Sequence, residues 1–129
     1  MDFHTRDLCL RALDTNSRCA QNSAGMEINM VKHMILWKLK DSLSEEEKVQ
    51  VKKEIKERLE ALEGQIDGLE KMQIRTEYLP SSSADIMMDS LFTDEQALKG
   101  YQTHPKHVAV ADTYVRPNVE IRLSMDFEC

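Results

Sequence analysis

An α+β fold, with four strands and two helices in the order β-α-β-β-α-β, is predicted from three features of this 129-residue chain. One run, Val31 to Leu39, is largely apolar. Two stretches carry helix start signals followed by apolar residues at helical spacing. Three further segments alternate with a period of two, as half-buried strands do. Elements in this order form the split βαβ, or ferredoxin-like, arrangement, a four-stranded antiparallel sheet with both helices on one face.

Each element follows from local chemistry. Val31 to Leu39 has lysines only near its ends, at Lys32 and Lys38, and reads as a strand buried on both faces at its centre. Ser44 with Glu47 forms a capping box, and Glu45 and Glu46 suit the positive end of a helix. That helix runs to about Glu63, with Val51, Ile55, Leu59 and Leu62 on one stripe, and Gly64 and Gly68 bracket its end. Leu69 to Tyr78 alternates, placing Met72, Ile74, Thr76 and Tyr78 on one side. Pro80 and three serines turn the chain into a third strand, Ala84 to Phe92. Thr93 caps a helix that runs from Asp94 towards Tyr101, and a second helical piece spans Pro105 to Val115. After the stop at Arg116-Pro117-Asn118, Val119, Ile121, Leu123, Met125 and Phe127 alternate with polar residues in the fourth strand.

The second face of this sheet is expected to carry Met34, Leu36, Met87 and Leu91 among Arg75, Arg122 and Asp126. Such a face is rarely left in water. Pairing of two sheets in a homodimer through the open face is therefore expected. The hydrophobic fraction of 41% and charged fraction of 31% indicate a single globular domain. A net charge of -6 argues against nucleic acid, and the lysines from Lys48 to Arg58 alternate with glutamates as on a solvated helix face. No run is long and apolar enough to suggest a membrane partner. Residues 1–29 are polar and weakly patterned, with charges at Asp2, Arg6, Asp7, Arg11, Asp14 and Arg18, and read as a flexible N-terminal extension holding at most a short helix from Asp7 to Leu13. The domain proper spans residues 30–129. Cys9, Cys19 and Cys129 have neither core nor metal-ligand spacing, so a reducing compartment, the cytoplasm, is the simplest reading.

The chemistry-bearing residues concentrate in Tyr101-Gln-Thr-His104-Pro105-Lys-His107. Proline disfavours helix at the residue before it and fits the first helical turn, so one helix ends near Tyr101 and another starts at Pro105. His107 then occupies the third helical position, where the positive helix end disfavours an imidazolium, and Tyr101 is placed to hydrogen-bond it. His33 alternates with Ile35 and Trp37 and should share the helix-facing side with Ile86 and Met88. His104, before the proline, reads mainly as a helix cap. The bland reading is that Tyr101 and His107 satisfy each other and the exposed backbone of the helix break. Metal is not expected, because His104 and His107 lack further ligands nearby. No cofactor is expected either: glycine-rich phosphate loops and Ser/His/Asp arrangements are absent, and Trp37 and the eight methionines read as core.

Val31-Lys-His33, the segment Asp85 to Phe92, the Tyr101-x-x-His104-Pro105-x-His107 block and the ending Arg122-x-x-x-Asp126-Phe-Glu128 together resemble the stress-responsive dimeric α/β-barrel family, over about residues 30 to 128. The resemblance implies a ferredoxin-like protomer and a homodimer whose two sheets face each other as a barrel. One plant branch, the olivetolic acid cyclases, closes a polyketide ring without cofactor through a Tyr–His pair. Its tyrosine falls on Tyr101, its key histidine on His107 and its first-strand histidine on His33; its third-strand pocket histidine falls on Ile86, a departure. The expectation is a stress-associated homodimer that binds a small, partly apolar molecule near Tyr101, His107 and His33, with Trp37, Ile86, Met88 and His104 as further lining. The alternatives are a cofactor-independent cyclase or lyase on a carbonyl substrate, with His107 as base and Tyr101 as donor, and a purely structural dimer.

Overall fold

The computed structural model describes residues 29–129. Apart from its last residue, the extension expected over 1–29, with its short helix, lies outside the described residues. The order is β1 (Val31–Leu39), α1 (Glu45–Glu60), β2 (Leu69–Arg75), β3 (Ile86–Phe92), α2 (Glu95–Thr103), α3 (Pro105–Val110) and β4 (Val119–Glu128). A π-helical turn, Ala111–Val115, continues α3. The strands form one antiparallel sheet in the order β2-β3-β1-β4. This is the ferredoxin-like protomer the pattern implied.

The helices cover one face of the sheet. Ile55 and Leu59 of α1 are buried against Trp37, Ile86 and Met88, with Ile35 facing Met88 and Trp37 facing Ile86 across the β1–β3 ladder. Ser44 caps α1 with both hydrogen bonds of the capping box in place. Several boundaries differ from the sequence reading. β2 ends at Arg75, where its pairing with β3 stops at Met87, and residues 76–78 have no ladder partner. Tyr78 instead lies under Lys52, its ring centroid 4.7 Å from the lysine Nζ, and its hydroxyl donates to Asp85. Asp94, not Thr93, caps α2, accepting from the Ala97 backbone N–H at 2.7 Å. β1 is covered on one face only, and Leu36 on the other is 42% exposed.

The largest difference concerns β4. Its pairing with β1 slips by one residue between Lys38 and Leu39: Leu39 faces Val119, whereas Lys38 faces Ile121. Glu120 is the extra residue of a bulge. A one-residue slip sends every following side chain to the opposite face. Val119 therefore packs on the helix-side core, while Ile121, Leu123, Met125 and Phe127 point to the open face and are exposed. Arg122 and Asp126, expected on the open face, come round to the helix side. No α-helix packs extensively on β4, so its apolar side chains were never bound to the helix layer.

Gly68 joins the first end of β2 to α2. Its φ is +85°, and an added Cβ would lie 2.4 Å from the Ala97 Cβ. Gly64 has the same φ with nothing within 4 Å. Both positions favour glycine through backbone conformation, but only Gly68 is also a close contact. Gly64→Ala should cost about 1–2 kcal/mol from the left-handed backbone alone. Gly68→Ala should cost distinctly more, because α2 must lift from the sheet. Urea denaturation of the two variants checks this, and equal losses would show that the contact does not seat α2.

Candidate functional site

The site forms where α2, α3 and the helix-facing sides of β1 and β4 meet. His33 points inward from β1 and is 2% exposed. The bulge in β4 places Asp126 directly opposite, and its Oδ1 meets His33 Nδ1, joining residues 93 apart in the chain. A carboxylate only accepts, so Nδ1 carries the proton and Nε2 is the ring nitrogen left over. The Ser90 hydroxyl donates to the His33 carbonyl at 2.8 Å, fixing the strand beneath.

Tyr101 ends the buried face of α2 and is 1% exposed. Its ring centroid lies 5.0 Å from Phe92, 6.4 Å from His33 and 4.1 Å from His107. The expected hydrogen bond between Tyr101 and His107 is not made. The two rings stack at 37°, and the buried Tyr101 hydroxyl has no hydrogen-bond partner. Burial pushes the phenol well above its ordinary range, the Arg122 charge opposing only in part. It is a donor at any physiological pH.

Pro105 starts α3, and the His104 side chain caps it by accepting from the Lys106 N–H at 3.1 Å. His104 thus serves the helix. His107 is the third residue of α3, half-buried, with Nδ1 3.3 Å from the Gln102 carbonyl. A carbonyl accepts, so Nδ1–H donates and Nε2 keeps its lone pair. Burial lowers the His107 pKa. The charge of Arg116 and, more weakly, His33 and Arg122 act the same way, against the Gln102 hydrogen bond. Two imidazoles thus flank a protonated phenol, and this His107 is a neutral base next to a donor.

Of the remaining residues expected at the site, Trp37, Ile86 and Met88 lie inside the hydrophobic core at 4, 1 and 1% exposure. Asp126, Arg122 and Gln102 were not anticipated. The signal for Asp126 and Arg122 was the polar side of β4, readable only once the Glu120 bulge is known. A cleft of about 330 Å³ between α2 and β4 is lined by Val31, Leu98, Lys99, Gln102, Asp126 and Glu128, among others. Gln102 and Asp126 each bond one of the two histidines, so this cleft opens beside them. Among the described residues no three His, Cys, Asp or Glu side chains are placed to hold a metal ion.

A ferredoxin-like protomer with an imidazole–phenol–imidazole cluster under its second helix defines a small α+β domain class. The chain belongs to the stress-responsive A/B barrel domain family, which matches residues 31–129. It is similar to a dimeric protein of unknown function and ferredoxin-like fold from Bacteroides fragilis, at 35% identity over 78% of this chain and 96% of that one, with a TM-score of 0.73. A ferredoxin-like protein of the same family from Mesorhizobium loti is 24% identical over 77% of this chain and 95% of its own, TM-score 0.61. A hydroxynitrile lyase from Passiflora edulis is 14% identical over 80% and 95%, TM-score 0.65. The last two share the fold. Among curated proteins none matches the chain.

Two outcomes follow from the geometry. Because the Tyr101 hydroxyl is buried and unpartnered, Tyr101→Phe should leave the ligand-free protein as stable or raise its Tm by about 4 °C per kcal/mol regained. A fall in Tm would mean that the hydroxyl has an internal partner. For His107, the folded-state pKa lies below the ordinary value near ~6.5. The unfolded chain then takes up the proton first, so stability is lost as pH falls from about 6.5 towards the folded-state value. Thermal unfolding should show a larger loss for the wild type than for His107→Gln between about pH 7.5 and about pH 5.5. Equal losses would contradict a buried, neutral His107.

Proposed function

We propose that the protein is a homodimer that binds a small, partly apolar molecule between sheet and helices at Tyr101, His107 and His33. The observation that carries this reading is the Tyr101 hydroxyl, buried without a partner. Leaving such a group unsatisfied costs about 1–3 kcal/mol, and folded proteins keep few of them. A ligand oxygen accepting from this hydroxyl removes the cost. Phe92 beside the phenol and Leu98 in the cleft supply apolar surface for the rest of the molecule.

The homodimer is supported by the open sheet face, where Leu36, Ile121, Leu123, Met125 and Phe127 are each at least 42% exposed. A contiguous apolar surface of this kind is rarely left in water. The similar Bacteroides protein is described as dimeric. Pairing of the two open faces, completing a barrel, is the arrangement we infer.

A second reading has a specific observation in its favour: His107 keeps its Nε2 lone pair, is held neutral, and stacks on a phenol donor. That pair suits a cofactor-independent lyase or cyclase acting on a carbonyl substrate, with His107 taking the proton and Tyr101 stabilising the oxyanion. The Passiflora protein, similar in fold, is a hydroxynitrile lyase.

A thermal-shift screen of small carbonyl compounds tests the binding reading. Hits whose stabilisation falls in Tyr101→Phe support it, and hits indifferent to Tyr101 and His107 place the ligand elsewhere. If a hit is turned over, and Tyr101→Phe and His107→Ala each abolish turnover even when saturated with it, the enzyme reading holds. Sedimentation at micromolar concentration should give twice the 14.9 kDa chain mass. A mass near that of one chain would overturn the dimer.

A further inference from the structure

We propose that residues 7–13 of this same chain add a fifth strand to the sheet, parallel to β4 along its outer edge. The inference goes beyond the binding reading above and does not depend on it.

The two edges of the sheet differ. On β2, the outward N–H groups of Met72 and Ile74 donate to the Glu63 and Glu60 carboxylates at 2.8 and 3.0 Å, and Lys56 Nζ donates to the Ile74 carbonyl at 2.7 Å. Side chains of α1 and of the turn after it thus close that edge. β4 is the opposite edge, exposed from Glu120 to Glu128. The Cys129 N–H donates to the Met30 carbonyl, which makes Met30 and Cys129 a hydrogen-bonded pair. Such pairs alternate in an antiparallel ladder, so Arg122, Ser124, Asp126 and Glu128 turn their N–H and C=O groups away from β1. None of these backbone groups has a hydrogen-bond partner among the described residues. A long open edge is a template for another strand, and proteins rarely leave one uncovered.

Residues 7–13 match this edge in one register. Asp7 and Arg11 are spaced as Arg122 and Asp126 are, so in a parallel strand Asp7 meets Arg122 and Arg11 meets Asp126. The same register sets Leu8, Leu10 and Ala12 beside Leu123, Met125 and Phe127, continuing the apolar stripe of the open face. Charge pattern and apolar pattern thus agree, and a slip of one residue would lose both. The path of the chain agrees as well. In this register residue 13 ends at the Glu128 end of β4, where Met30 leads into β1 beside Cys129. Residues 14–29 then cross two strand spacings, about 10 Å, with up to about 50 Å of chain to do it.

Amide hydrogen exchange of the full chain, followed residue by residue by NMR, tests this. With the strand added, the outward amides of Ser124, Asp126 and Glu128 exchange slowly, as the inward amides of Leu123, Met125 and Phe127 do through their bonds to β1. Leu10→Pro removes the N–H that this register aims at the Ser124 carbonyl. It should speed exchange of the outward three by about tenfold or more and leave the inward three protected. The inward three also report that the sheet is intact in the variant. Fast exchange of the outward three in the wild type, as a helix over residues 7–13 would give, overturns the inference. Slow exchange that survives Leu10→Pro overturns it too, and its loss on dilution would assign the edge to a second copy of the chain.

Discussion

The single residue by which β4 slips against β1, at Glu120, is the constraint on which the rest of the molecule depends. Without it, the apolar side of β4 would fall under the helices and its charged side on the open face. With it, Val119 anchors the strand in the core, four apolar side chains turn to the open face, and Arg122 and Asp126 turn to the helix side. Pairing of strands has a side-chain period of two, so one inserted residue is enough to exchange the two faces. The proposed dimer surface and the polar wall of the candidate site are thus two consequences of one backbone irregularity.

Tyr101 shows how the remaining elements converge on that wall. Gly68 lets α2 approach the sheet closely enough to bury the phenol against Phe92. Pro105 ends the first helical piece and starts α3, which brings His107 back over the same ring. The hydrophobic contacts hold the phenol, but its oxygen receives nothing in return. Two imidazoles with fixed tautomers face it, each oriented by an acceptor on its Nδ1, the Asp126 carboxylate and the Gln102 carbonyl. Orientation of both bases by groups outside the pair is what a binding or proton-transfer site requires, and more than packing alone needs.

What the sequence disclosed divides along the range of the interactions. Local signals were legible: the Ser44–Glu47 capping box, the Ile55–Leu59–Leu62 stripe, the Pro105 helix start and the span of β1. The proximity of Tyr101 and His107 followed from the helix break between them. The hydrogen bond expected there did not, because the stacking geometry depends on how α3 lies across α2. The Glu120 bulge left the alternation of β4 intact to the eye, since it arises from pairing with Lys38 and Leu39, some eighty residues earlier. Arg122 and Asp126 were therefore assigned to the wrong face. The end of β2 at Arg75 was hidden for the same reason, being set by where its pairing with β3 stops rather than by its own alternation.

The central claim is that the Tyr101 hydroxyl is held for a ligand. A crystal structure of the full-length protein grown with a small carbonyl compound that stabilises it in the thermal-shift screen tests it most directly. The account predicts a dimer with a ligand oxygen within about 3 Å of Tyr101 Oη. A Tyr101 hydroxyl bonded instead to a side chain of either subunit, with the site closed and no ligand in it, would contradict it.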